Sequence, residues 1–379
     1  MRPLDGIRVI EMAGLAPAPY AGMILADFGA DVVRVDRSPT SGATPDPTRD
    51  HLARGKRSIG LNLKDPRGVD VLLRLVESAD VLIEPFRPGV MEKLGVGPDV
   101  ALTRNPRLVY ARLTGWGQGG PYGPMAGHDI NYIAISGALG CFARKGERPL
   151  PPVNLLGDFA GGGMLCAMGV VLALFERSRS GRGQVIDSAM VDGAANLAAF
   201  LFGFRAAGLW SDEAGTNLLD SGAPFYDTYE TADGKFMSVG AIEPQFYAKL
   251  LEGLGLDASQ MPHQYDRDAW PKTAARFTEM FKTRTRDEWA AIFDGTDACV
   301  APILSLSEAP DHPHNRARST FVHAVAGQIA PQAAPRLSRT PGSAAAEAPL
   351  PGAHTDEVLR AAGLTAEETR DLATDGVVG

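Results

Sequence analysis

The chain has 379 residues, room for about two to three domains and a large buried core. Its 45% hydrophobic and 22% charged residues exclude disorder and fibrous architecture for the bulk of it. With 37 Lys and Arg against 45 Asp and Glu, a formal charge of -8 argues against broad nucleic-acid binding, which needs a basic field, yet permits a local anion site.

In chain order, Ile7 to Met12 reads as a strand, followed by the Gly/Pro turn Gly14-Leu15-Ala16-Pro17-Ala18-Pro19. A helix pattern from Tyr20 to Phe28 stops at Gly29, and Asp31 to Asp36 is the next strand. After a loop rich in Pro, Thr and Asp, Ser58 to Leu63 gives a short strand, and Asp65-Pro66 opens a helix whose Val69, Leu72, Leu73 and Val76 share one face. Val81 to Glu84 and Leu108 to Ala111 are two further strands. Strands alternating with helices of this length predict a mostly parallel sheet with crossover helices, an α/β Rossmann-like domain.

The middle changes character. Gly115 to Gly127 holds six glycines and two prolines, a loop whose backbone turns tightly and approaches something closely. The uncharged run from Phe159 to Phe175 spans 17 residues with four glycines, short of the roughly 20 strongly apolar residues of a membrane span, and reads as a buried core helix with no membrane insertion. Val185 to Asp187 resumes a strand, and Ala194 to Phe204 reads as one buried helix. From about Pro224 to Pro302 a smaller α+β unit follows, with a hairpin around Ala232-Asp233-Gly234 and helices at Pro244–Leu254, Trp270–Lys282 and Arg286–Phe293. Gln328 to His354 is a Pro/Ala-rich extended arm. Helix returns from Thr355 to Thr374, where Thr365 and Glu368 have capping-box spacing.

Three cysteines, Cys141, Cys166 and Cys299, are widely spaced and suit a reducing compartment. Met1 to Gly6 lacks a signal-peptide pattern and the last residues are no peroxisomal address, so the expected location is cytoplasmic.

The opening strand–turn–helix invites a dinucleotide reading, but its turn lacks the glycines that admit a pyrophosphate. Arg34, Arg37, Lys56, Arg57, Lys64 and Arg87 stand beside strand ends, where parallel sheets bind ligands. Singly each reads as a solvated surface charge; together they suit a phosphorylated small molecule. His128 follows the glycine-rich loop, at a helix start that favours the neutral imidazole, either as a base or in a structural role. Asp158 precedes Gly161-Gly162-Gly163 and reads as an N-cap, with the glycines offering backbone donors to an oxyanion. Glu243, just before Pro244, also has the position of an N-cap. His312 and His314 lack an acidic partner and make no metal site.

These segments carry a family resemblance. Gly14 to Pro19, Val32 to Arg37, Arg54-Gly55-Lys56-Arg57-Ser58, Glu84 to Val90, Gly127 to Tyr132, Asn154 to Gly163, Gly222 to Tyr226 and Val239 to Tyr247 resemble the family III coenzyme A transferases (the CaiB/BaiF superfamily) and, within them, the α-methylacyl-CoA racemases. The likeness runs from about residue 4 to 320 and is weaker in the arm. It implies an isomerase that inverts C2 of 2-methylacyl-CoA thioesters through an enolate, with no redox cofactor and no metal. It maps His128 and Asp158 onto the two catalytic bases and Glu243 onto the partner of the histidine. Arg37, Leu61, Asn62, Leu63, Lys64, Arg87, Gly127, Asp129, Ile130, Asn131 and Tyr132 fall where the family holds CoA.

Family members are interlocked homodimers, with the active site between the large domain of one chain and the small domain of the other. The domains expected are a discontinuous large one, 1–200 with 325–379, a small one, 223–315, and linkers at 201–222 and 316–324. Two other readings compete. A CoA transferase of the same superfamily would use Asp158 as a nucleophile and has no need of His128 with Glu243. A non-catalytic CoA-ester sensor would keep the basic residues and dispense with the bases.

Overall fold

The alternation read from the first half of the chain is realised as one six-stranded sheet. The structure is a computed structural model that describes residues 1–38, 50–323, 328–344 and 347–379. The Pro/Thr/Asp loop after the second strand falls mainly on residues 39–49, outside the described residues.

Strands β1 (Arg8–Met12), β2 (Asp31–Arg37), β3 (Arg57–Leu61), β4 (Val81–Glu84), β5 (Val109–Thr114) and β6 (Gln184–Ala189) lie in the order β3-β2-β1-β4-β5-β6, all parallel. Alternation along β1 feeds both faces: Val9 packs with Leu25, Val81 and Val170, while Ile10 packs with Leu72, Leu82 and Tyr110. The order reverses between β1 and β4, and such a switch point opens a crevice at the carboxyl ends of the strands. The loops after these two strands touch closely there. A Cβ at Gly14 would lie 2.4 Å from Cγ of Pro85, so only glycine admits the approach.

Local chemistry sets the helices. Asp65 accepts from the N–H of Arg67, and Pro66 opens the amphipathic helix Pro66–Glu77. Thr365 and Glu368 form the reciprocal cap of helix Ala366–Thr374. The predicted single helix over Ala194–Phe204 is instead two, Met190–Leu197 and Ala199–Ala206, because Ala198 leaves helical geometry with ψ of 3°. Part of the predicted arm pairs as a strand, Ile329–Pro331, antiparallel to Phe321–His323.

Leu155–Ser180 is long and apolar enough, by length and composition, to cross a membrane. Its Cys166, Ala167, Val170 and Ala173 are buried, and its Arg177 is also buried, bonding Asp80 at 2.7 Å and the carbonyl of Arg107. Another face, formed by Met164, Met168, Val171, Leu172 and Phe175, is exposed.

The chain divides into two units. The first comprises Met1–Ser136, Val153–Leu197 and Pro313–Gly379; the second comprises Gly137–Pro152 and Ala198–His312. In the second, β7 (Tyr226–Glu230), β8 (Phe236–Gly240) and β9 (Val300–Pro302) form an antiparallel sheet. Its core gathers Phe225, Tyr229, Phe277, Phe281 and Trp289, with Tyr229 stacked on Phe281 at 5.0 Å. The hairpin turns at Gly234, whose φ of 71° suits glycine.

Candidate active site

The carboxyl ends of the strands carry only part of the basic set expected there: Arg34 lies within β2, Lys56 precedes β3 and Arg57 opens it at its amino end. Arg37 ends β2, Leu61 ends β3 with Asn62, Leu63 and Lys64 following, and Arg87 lies on the turn after β4. Leu61 is buried in the core, so its side chain supports the sheet edge. The Asn62 side chain accepts from the N–H of Lys64 at 3.2 Å and shapes that turn.

The basic set divides sharply. Arg34 bonds Asp36 at 2.8 Å, Arg57 bonds Asp31 and Glu357, and Lys56 is wholly buried against Glu11 at 2.6 Å and the carbonyl of Pro19 at 2.9 Å. These three hold the fold. Arg37, Lys64 and Arg87 are exposed and make no ion pair among the described residues. They are the cations left for an anionic ligand. The turn that carries Arg87 is itself anchored: buried Glu84 accepts from the N–H of Phe86 at 2.8 Å and from Arg112 at 2.9 Å.

The glycine-rich loop runs from β5 to His128. Tyr132 braces it, its hydroxyl donating to the carbonyl of Gly127 and its buried ring set edge-on to Trp116. Burial pushes the Tyr132 hydroxyl up to about 12, with the Asp158 carboxylate adding to the rise and the Arg87 charge opposing it. His128 is the N-cap of helix Asp129–Ile135. Its backbone N–H is taken by Oδ1 of Asn131 at 3.1 Å, the two residues forming a capping box, and its imidazole is exposed. Ile130 is exposed beside it.

Asp158 is not the N-cap its position suggested. The helix starts earlier, at Leu155, and runs to Met164 as a widened π-helix before continuing as an α-helix, so Asp158 sits in its first turn. The three glycines behind it do not display donors. All are buried, and a Cβ would come within 2.9 Å of the Ala194 nitrogen from Gly161, 2.8 Å of Met190 Cγ from Gly162 and 2.5 Å of the Pro17 carbonyl from Gly163. They are packing residues that let the neighbouring helices close in.

The Asp158 carboxylate is half-buried and accepts from Nδ2 of Asn154 at 3.0 Å. Burial raises its carboxyl above the usual range, and the Asp129 carboxylate raises it further. The Asn154 bond and the charge of His128 oppose the rise. The N–H groups of Gly157 and Asp158 are both occupied by Oδ1 of Asp129, at 2.6 and 2.7 Å. The backbone donors beside Asp158 are therefore not free to receive an enolate oxygen.

The sequence reading missed two residues here. Asn154 was detectable from its spacing four residues before Asp158 on one helix. The side-chain role of Asp129 had no local signal. In the second unit Glu243 is the N-cap position of helix Pro244–Leu254, as the sequence indicated, but its exposed carboxylate makes no capping bond. Among the described residues no three His, Cys, Asp or Glu side chains converge as a metal site would require.

A sheet of this order, a glycine-rich loop leading to a histidine, and an aspartate set into a glycine-lined helix define an α/β protein with candidate acid–base groups in its first unit. The chain belongs to the CoA-transferase family III, whose model matches residues 4–355. Among its relatives, the alpha-methylacyl-CoA racemase of Mus musculus is 55% identical and that of Homo sapiens 51% identical, each over 376 residues covering 99% of this chain and 97% of the relative. The crystal structure of a CaiB/BaiF family protein from Brucella suis is similar at 25% identity with a TM-score of 0.80, covering 95% of this chain and 99% of that one.

Proposed function

We propose that the chain is an isomerase that inverts C2 of 2-methylacyl-CoA thioesters by two-base proton transfer. The observation that carries this reading is the placement of His128 and Asp158: His128 caps the helix whose first residue, Asp129, accepts from the Asp158 N–H at 2.7 Å. One base removes the C2 proton, and the electron pair of the C–H bond moves into the thioester carbonyl to give an enolate. The other group then delivers a proton to the opposite face of C2, and the carbonyl re-forms. No electrons are gained or lost overall, so the reaction calls for no redox partner.

A carboxyl shifted upward suits both halves of this cycle, because a raised proton affinity makes its carboxylate a stronger base toward C2. Glu243 is proposed as the group that steadies the imidazolium. Arg37, Lys64 and Arg87 are proposed as partners of the CoA phosphates, with the Gly127–Tyr132 segment beside them. The acting form is proposed to be an interlocked homodimer in the cytoplasm. The exposed stripe from Met164 to Phe175 supports a protein partner over lipid, since the same helix buries Arg177 in a bond to Asp80.

One epimer of a 2-methylacyl-CoA incubated in D₂O tests the reading. Deuterium at C2 with appearance of the other epimer is expected. A protiated C2, with hydroxylamine capturing an acyl group on Asp158, would instead mark a CoA transferase. Turnover is expected to vanish in a His128→Ala, Asp158→Ala double variant that still binds the CoA ester; unchanged function there would mark a sensor.

A further inference from the structure

Asp129 was grouped with the CoA contacts by resemblance, yet its side chain faces inward. It is 5% exposed, and its Oδ1 takes both the Gly157 and the Asp158 N–H groups, 28 and 29 residues along the chain. Its Oδ2 is buried with no hydrogen-bond partner. The approach is tight: a Cβ at Gly157 would lie 2.6 Å from Asp129 Oδ1. We propose that Asp129 is a positioning residue that fixes the distance between the two bases, because it is the first residue of the helix that begins at His128 and its carboxylate grips the backbone of Asp158.

The proposal rests on the two-base reading. The helix that bears Asp158 has its own N-cap residue, Asn154, but that side chain makes no capping bond and donates to the Asp158 carboxylate instead. The capping carboxylate comes from the residue adjoining His128. Asp158 is thereby held at its N–H by Asp129 and at its carboxylate by Asn154, leaving Oδ1 to reach substrate. A buried anion with an unmatched oxygen, near a second carboxylate, is a poor choice for stability alone. An asparagine could accept the same two bonds without that charge.

Both epimers of a 2-methylacyl-CoA are incubated in D₂O with wild type, D129A and D129N, each checked for fold by circular dichroism. Deuterium in the recovered starting epimer and formation of the opposite epimer are followed separately. In D129A the epimer deprotonated by His128 is expected to keep exchanging while its inversion falls about 10²-fold, the effect of roughly 1 Å of misplacement. For the epimer deprotonated by Asp158, exchange and inversion fall together. D129N, whose amide oxygen still accepts, recovers part of the inversion. A loss of general fold quality would lower every rate in proportion. An unchanged ratio of exchange to inversion for both epimers in the folded variants overturns the proposal. If D129A does not fold, D129N decides alone by the same ratio. Absence of C2 exchange in the wild type would refute the two-base reading itself, a separate result.

Discussion

Lys56 and Glu11 form an ion pair with neither side chain exposed, and replacing the lysine by methionine isolates its cost. Burial pushes the Glu11 carboxyl up and the Lys56 ammonium down, while each charge supports the other. In K56M the Glu11 carboxylate loses the donor on Oε2, and its Oε1 already has no partner. An uncompensated buried charge of this kind costs about 3–5 kcal/mol, a large share of the roughly 5–15 kcal/mol that holds a domain together. The bond from Lys56 to the Pro19 carbonyl, in the first turn of helix Pro17–Asp27, is lost as well.

The sign of the pH dependence follows. The folded pKa of Glu11, raised by burial, rises further without Lys56, so the folded state of K56M binds a proton that the unfolded state has released. The stability deficit is then smaller at about pH 5.5 than at about pH 8. Urea titration followed by far-ultraviolet circular dichroism at both pH values measures it. Adding Glu11→Gln removes the stranded charge and is expected to restore at least about half of the loss. A K56M variant within about 1 kcal/mol of wild type, or a double variant no better than the single, would refute the reasoning.

Four further outcomes are expected. D129N removes the negative charge that raises Asp158, so the acid limb of kcat/KM against pH moves to lower pH. N154A removes the bond that favours the Asp158 carboxylate, so the same limb moves to higher pH; matching shifts in one direction would contradict both. Gly193→Ala puts a Cβ 1.9 Å from the Gly161 carbonyl and should cost about 1–3 kcal/mol in urea titration, with a matching loss of turnover as the Asp158 helix is displaced. Arg87→Ala should raise KM about tenfold with little change in kcat, an effect that shrinks in high salt; an unaltered KM would remove Arg87 from the CoA site.

The elements whose signals are local were legible in the sequence. Asp65-Pro66 announced a helix start, Ala232-Asp233-Gly234 a hairpin, and Thr365 with Glu368 a cap, because each acts within four residues. The parallel sheet followed from the alternation of short apolar runs with helical patterns. What stayed hidden depends on partners far along the chain. Lys56 and Arg57 look alike as surface cations until Glu11 and Asp31, 45 and 26 residues away, arrive beside them. The glycines after Asp158 suggested open backbone, and only the packed helices reveal them as points of closest approach. Asp129 bonds across 28 residues, which no periodicity encodes.

The core beneath the sheet is assembled from both ends of the chain. Leu72, Leu75, Val76 and Leu82 share one cluster with Val358, Leu359, Leu364, Val377 and Val378. Between the last sheet strand and the first of those late residues the ribosome must add some 170 residues, of order ten seconds at about 5–20 residues per second. Throughout that interval the part of this cluster that the late residues cover stays open, while the second unit can already gather its own aromatic core. Biogenesis is therefore the stage at which this chain is most exposed to aggregation, and a chaperone that shields the early strands would act before the final helices emerge.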